Sequence, residues 1–452
     1  MELTRFLLER IERLNPRLNA YITVCEELAV QMAAQAEAEL SVRAKKKSRR
    51  DRGPLHGIPI SLKDNIYTKD LRTTGGSKIL KDFVPLHDAP LVTVLKKAGV
   101  VLLGKTNMHE FAYGVTTENP HFGATRNPWD LERIAGGSSG GSAAALAAGL
   151  CYGSIGTDTG GSIRIPASLC GVVGFKPGLG RVNAEDIIPL SPTLDFVGPL
   201  ARSVEDAALL LDPILVRGKS ENRLLLTKAA SSRARRSRLG IPKEFFLDIV
   251  EPQVRAAFQS AITTMEKRGA RLKAVSLPQL QQTEDAGNQI AWVEATIYHQ
   301  QAGWFPEHRS EYSEDVYKRL EMGTNVTAVN YLQARARREK FKELLLEVFT
   351  SNDLDALVVP TTPIAATKLG EASVTIDGSA HPIRALLLRL NRPANLAGVP
   401  AVSVPCGLTK GGLPIGIQFI GEWTDESLLL QIARGFERDF PFHLPTQLEA
   451  LA

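Results

Sequence analysis

Long apolar runs are missing from this chain. No stretch of about 18 apolar residues occurs, which argues against a membrane-spanning helix. Met1 is not followed by a charged segment and an apolar run, so no secretory leader is visible, and a cytoplasmic protein without a membrane partner is expected. Cysteine is scarce. Cys25, Cys151, Cys170 and Cys406 are widely spaced with no C-x-x-C, which argues against a disulfide framework or a zinc site. Neither sign of charge dominates: the net formal charge is +5 over 452 residues. Positive charge gathers in two runs, Lys45–Arg52 (KKKSRRDR) and Ser231–Arg238 (SSRARRSR), and neither carries the interleaved aromatics that a single-strand groove uses. Both read as solvated loops, and no nucleic acid is required as a partner.

What is present is the composition of a globular enzyme, 44% hydrophobic and 23% charged. Apolar residues at helical spacing from Leu3 to Leu14 predict a helix ending at Asn15-Pro16. Tyr21–Val24, Ile58–Leu62, Val100–Leu103, Cys151–Ile155, Ala356–Val359, Ala401–Val404 and Ile415–Ile420 read as strands. Glu26–Leu40, Ala89–Ala98, Ser142–Gly149, Ser162–Leu169, Glu251–Arg268, Thr327–Phe349 and Glu426–Arg438 read as helices. This alternation predicts an α/β architecture with a largely buried sheet. Val216–Arg238, polar and basic, reads as an insertion loop.

Residues 136–162, GGSSGGSAAALAAGLCYGSIGTDTGGS, are the most informative stretch: fourteen of the 27 are Gly or Ser. Glycine lets backbone N–H groups approach a ligand closely, and a hydroxyl among them is the setting of a nucleophile beside an oxyanion hole. The serine needs a base. Lys63, at the end of the apolar run Ile58–Leu62, serves if burial lowers its pKa; a surface lysine is the competing reading. Two other patterns overlap this region. Gly99-Val-Val-Leu-Leu-Gly-Lys-Thr106 fits a phosphate-loop template, but its middle is itself strand-like, which makes Lys105 a strand-end residue. G-x-S-x-G occurs around Ser138 and around Ser139, but the segment before it is a poor strand, and His299, His308, His381 and His443 lie in no suggestive context.

Pro59-Ile-Ser-Leu-Lys-Asp-Asn65, Gly136-Gly-Ser-Ser-Gly-Gly-Ser142 and Gly156-Thr-Asp-Thr-Gly-Gly-Ser-Ile-Arg-Ile-Pro166 together resemble the amidase signature family. Supporting stretches are Gly104–Phe111, Ala124–Trp129, Gly174–Pro177 and Asn395–Pro400. The resemblance implies one domain over 1–452, with a core of about 50–210 and 355–440 and a variable substrate-side region of about 215–350. It implies a twisted mixed sheet between helices. It assigns Ser162 as nucleophile, Ser138 as a bridging serine after a cis peptide bond, and Lys63 as base. Thr159, Gly160 and Gly161 become the oxyanion hole, and Asp158 with Arg164 a supporting ion pair. No metal or organic cofactor is implied, and His56 and His109 are expected to be structural.

The family includes the glutamine-cleaving component of glutamyl-tRNA amidotransferase and stand-alone amidases. The amidotransferase component holds glutamine with an arginine in R-R-I-x-x-G-T and an aspartate before N-L-A-G-V-P. Here Lys318-Arg-Leu-Glu-Met-Gly-Thr324 keeps Arg319, but Leu386-Leu-Leu-Arg-Leu-Asn-Arg-Pro393 holds no acid, and Phe196 replaces the glutamine of S-L-D-Q-x-G. These departures predict a stand-alone amidase for neutral, apolar or aryl amides, with carbamates and esters as side substrates. A small-molecule amide is then the partner, and the chain is a monomer or homodimer. The glutaminase of a tRNA amidotransferase is the alternative, and an inactive scaffold or nucleic-acid binder a third reading. Met108, Tyr113, Gly137, Ile187, Pro189, Leu190 and Trp304 are the expected pocket walls.

Overall fold

Strands covered on both faces are apolar without alternation, and several here are buried from end to end. The computed structural model describes residues 1–46, 53–216, 225–231, 237–278, 280–423 and 425–444. Its main sheet has eleven strands, in chain order β1 Tyr21–Val24, β2 Pro59–Lys63, β3 Val101–Thr106, β4 Gly153–Asp158, β5 Val173–Lys176, β6 Phe196–Ala201, β7 Arg238–Pro242, β8 Arg271–Val275, β9 Ala356–Pro360, β10 Ala401–Leu408 and β11 Pro414–Ile420. They lie in the order β1-β3-β2-β4-β6-β5-β10-β11-β9-β7-β8. The sheet is mixed: β3, β2 and β4 run parallel, as do β9, β7 and β8, while the strands between them are antiparallel. The fold is α/β, a large mixed sheet flanked by helices.

Alternation along β3 explains the two-sided burial. Leu102 joins Ile60, Leu62 and the helices Pro90–Lys97 and Val204–Ile214 in one apolar cluster. Val101 and Leu103 point the other way and join the helices Glu2–Leu18 and Gly140–Ala147 in a second. The second helix is built mostly of Gly, Ala and Ser, so its axis comes close to the sheet. A Cβ at Gly141 would stand 2.4 Å from the carbonyl oxygens of Ala20 and Asn107.

Most expected elements are present within a few residues of their expected ends. The first helix is not: it runs through Pro16 to Leu18. Proline in a last turn loses one hydrogen bond, while Leu14 and Leu18 stay buried and left-handed Asn19 closes the helix on the Asn15 carbonyl at 2.7 Å. Lys105 lies inside β3, not in a phosphate loop: its buried ammonium donates to Thr73 Oγ1 at 2.7 Å and to the Ile66 carbonyl. Within Val216–Arg238, residues 217–224 and 232–236 fall outside the described residues. Between them Leu225–Ser231 is a helix with Leu226 and Ala230 buried, so this part is not a loop. Residues 47–52 of the first basic run also lie outside the described residues. Among the described residues no helix is long and apolar enough to cross a membrane.

Candidate active site

Parallel strands β2 and β4 end side by side, and their carboxyl ends deliver the polar side chains, as open α/β sheets commonly do. β2 ends at Lys63, whose neighbour Leu62 faces the opposite cluster. The Lys63 amine is fully buried, 2.7 Å from Ser138 Oγ and 2.7 Å from Thr157 Oγ1 of β4. Burial pushes this amine down to about 7, against the pull of Asp195 and Asp158 toward the charged form.

Ser138 lies before the helix Gly140–Ala147, and the Gly137–Ser138 peptide bond is cis. The Ser138 carbonyl accepts from His109 N–H at 3.1 Å, and Thr117 Oγ1 donates to the Gly136 carbonyl at 2.8 Å. Ser139 donates its N–H to the Ser162 carbonyl at 3.2 Å and its hydroxyl to the Thr157 carbonyl at 3.1 Å, which joins the two Gly-Ser segments.

Ser162 sits in the turn from β4 into the helix Arg164–Cys170. Gly161 makes the turn at φ +124°, where a Cβ would lie 2.6 Å from Asn391 Cβ. Asp158 fixes its shape, accepting from Gly161 N–H at 2.7 Å and Ile163 N–H at 3.1 Å. Arg164 is fully buried and pairs with Asp158 at 3.0 Å, while donating to Gln418 Oε1 at 2.6 Å and the Asn391 carbonyl at 3.0 Å. Burial works against the Asp158 charge, but Arg164 outweighs it, and the carboxyl is held well below its ordinary range.

A small cavity opens on Ser162 and is lined by Thr159 and Gly160, with Tyr113, Leu190, Leu388, Arg384 and Arg392 among its walls. An adjoining cavity shares Thr159 and Leu190 and adds Ile187, Pro189, Phe196 and Asp195. Gly161 N–H does not face the cavity, because Asp158 holds it. Gly137 packs on Thr117, and a Cβ there would be 2.8 Å from Thr117 Oγ1. Met108 and Trp304 line neither cavity. Both join the aromatic cluster behind Tyr113, where Trp304 stacks on Phe111 at 5.4 Å. Arg319 lies behind Tyr113 as well, donating to its carbonyl and pairing with Asp315 at 2.8 Å. Sequence reasoning missed Thr157, Asp195, Arg384 and Arg392. The two arginines stand in and beside the segment whose only sequence signal is its lack of an acid. The histidines are engaged elsewhere: His299 with Tyr312 at 2.7 Å, His308 with Glu311 at 3.4 Å and His109 with Asp315 at 3.3 Å.

The amidase family model matches residues 2–430. This chain belongs to the amidase signature family. It is an amidase-type enzyme, acting on carbon–nitrogen bonds. The GatA component of the glutamyl-tRNA(Gln) amidotransferase of Carboxydothermus hydrogenoformans is 38% identical over 98% of this chain and 94% of its own length. The crystal structure of the same component from Thermotoga maritima is 35% identical, with a TM-score of 0.79, covering 98% of this chain and 94% of that one. A structure from a vestigial complex bearing on the origins of an s-triazine catabolic enzyme is 33% identical at TM-score 0.89, covering 98% of this chain and 96% of that one.

These relatives overturn two expectations. The expected stand-alone amidase for neutral, apolar or aryl amides gives way to full-length similarity with one component of an amidotransferase. The cavity agrees, since two arginines replace the apolar wall such a substrate needs. The expected partner set, a small amide and no nucleic acid, also fails, because the relatives are named as components of an enzyme acting on glutamyl-tRNA.

Proposed function

We propose that this chain is the amide-cleaving component of an amidotransferase of the glutamyl-tRNA(Gln) kind, releasing ammonia from a primary amide donor of which glutamine is the first to test. The observation that carries the reading is the buried Lys63 amine 2.7 Å from Ser138 Oγ inside this family's fold. Neutral Lys63 takes a proton from Ser138, which takes one from Ser162, and Ser162 Oγ bonds to the amide carbon. No hydrogen bond joins the two serine hydroxyls among the described residues; such contacts commonly tighten only when substrate binds. The tetrahedral oxygen lies at the Thr159–Ser162 turn, where the N–H groups of Gly160 and Ser162 are the donors, Gly161 being held by Asp158. As the carbon–nitrogen bond breaks, the proton returns through Ser138 to the leaving ammonia. Water then releases the acid from Ser162.

The test is ammonia release from glutamine by the purified chain, alone and with its partner subunits and glutamyl-tRNA, with hydroxylamine to intercept the acyl-enzyme. Glutamine-dependent amidation of the tRNA, with the acyl group on Ser162, is the expected result. An acyl group on another residue, or a complex that amidates equally well without this chain, overturns it.

A further inference from the structure

We propose that Arg384 and Arg392 form an anion subsite opening onto Ser162, and that the amide cleaved there carries a carboxylate on its acyl side with no ammonium beside it. This rests on the amide-cleaving reading and narrows its donor. Both arginines line the cavity that holds Ser162 and Gly160. Arg392 is 7% exposed and lies against Gly160, where a Cβ would stand 3.6 Å from Arg392 Nε. Gly287 makes room for it: a Cβ there would fall 2.4 Å from Arg392 Cδ.

Neither guanidinium is answered by a carboxylate in the cavity, for no Asp or Glu lines it among the described residues. Arg392 donates to neutral acceptors, Asn288 Oδ1 at 2.7 Å and the Glu284 carbonyl at 3.4 Å. Arg384 Nε is buried with no hydrogen-bond partner among the described residues. The carboxylates whose charge reaches the pair are shared with other cations: Asp315 with Arg319 at 2.8 Å and His109 at 3.3 Å, Glu284 with Arg389 at 3.7 Å. In the adjoining cavity Asp195 accepts from Thr159 Oγ1 at 2.5 Å and from the N–H groups of Leu190 and Ser191.

Burial lowers Arg384 to about 9, with repulsion from Arg319 and Arg392 adding to it, and burial lowers Arg392 to about 10. Both remain cations at neutral pH. Two desolvated cations with no anion of their own destabilise the empty site and favour a ligand that supplies the charge. A carboxylate does so in the planar, two-pronged geometry a guanidinium prefers. An ammonium on the same ligand meets Arg384, Arg392 and the nearby Arg319, with no carboxylate in the cavity to balance them.

The full chain is assayed on glutaramate, glutamine and pentanamide, which share a primary amide and differ in carboxylate and ammonium. Glutaramate should lead both others in kcat/KM by at least about tenfold, the scale of one charged hydrogen bond. Arg384→Gln should raise KM for glutaramate about tenfold with little change in kcat and collapse that preference, and Arg384→Lys should restore part of it. Glutarate, the product, should raise the melting temperature of Ser162→Ala but not of the chain that also carries Arg384→Gln. Equal or better turnover of glutamine or pentanamide, or a preference untouched by Arg384→Gln, overturns the subsite and leaves the amidase reading standing. Cleavage of none of the three, with glutarate still bound through Arg384, removes the amide-cleaving reading and keeps the subsite. Absence of both turnover and glutarate binding removes both.

Discussion

The two sides of the cavity at Ser162 follow opposite electrostatic plans. On the side built from β2 and β4, buried charges and dipoles find partners inside the protein. Arg164 has Asp158, Gln418 and Asn391, and Lys63 has two hydroxyls at 2.7 Å. On the side built from the helices Ile383–Arg389 and Arg392–Ala397, two guanidiniums face the cavity without a carboxylate in it. The first arrangement holds reacting groups in place before substrate arrives. The second leaves charge for the substrate to satisfy. The contrast separates chemistry from selection, and each side can be broken without the other.

The chemical side breaks most completely at the nucleophile. Ser162→Ala should lower amide turnover by about 10⁴-fold or more, while glutarate binding, which belongs to the other side, persists. Activity surviving in a steady-state assay of this variant moves the nucleophile elsewhere. Lys63 comes next: Lys63→Met should lower kcat by about 10²–10⁴-fold. In the unsubstituted chain, kcat/KM should climb with pH through about 7 as the amine loses its proton, and this limb should vanish with methionine. Stability moves the other way. From about 7 up to the ordinary 10.5, the unfolded chain holds a proton at Lys63 that the folded chain lacks, so the native lysine destabilises the fold below pH 10.5, fully so below about 7. Lys63→Met should therefore melt higher at pH 6 and lose its advantage toward pH 10. An unchanged melting temperature at both would mean the amine is not desolvated.

The chemical side is also the legible one. Lysine at the end of an apolar run, and serines among glycines, carry their meaning in residue type and spacing, and the strands that hold them are apolar enough to find. Tyr21–Val24 has the ends its pattern predicts. The selecting side leaves no such trace. Arginine in an ordinary helix has no motif, and its meaning here comes from what fails to stand beside it in space. The walls expected from sequence divide on the same principle. Tyr113, Ile187 and Pro189 line the cavities, while Met108 and Trp304 pack behind them, because an apolar side chain reads the same at a cavity wall and in a core. The helix Gln281–Gln301, which supplies Gly287 and Ala291 to the wall, escapes a sequence reading because its buried face is mainly Ala, Gly and Thr.

A smaller effect comes from the support beneath the nucleophile. Asp158→Asn should leave Arg164 buried without a counter-charge and cost about 3–5 kcal/mol in denaturant unfolding. The native contribution belongs to a carboxyl whose folded pKa is depressed. It is fully present above the unfolded value and lost as pH falls below it toward the lower folded one. The gap between Asp158→Asn and the native chain should therefore narrow in acid, and a gap constant with pH would assign the loss to packing.

The finest test grafts the plan of one side onto the other. Leu388 borders the same cavity and touches the nucleophile's turn, since a Cβ at Gly160 would stand 3.0 Å from Leu388 Cδ2. Leu388→Asp places a carboxylate among Arg384 and Arg392, answering from within the charge that the substrate is argued to answer. An anionic donor then meets a site already neutralised, and a donor with an ammonium gains a partner. The glutaramate-to-glutamine ratio of kcat/KM should fall by about tenfold or more, mostly through KM. If the ratio holds while Ser162 still reacts, the arginine pair is not what reads the charge of the substrate, and selection at this site rests on shape alone.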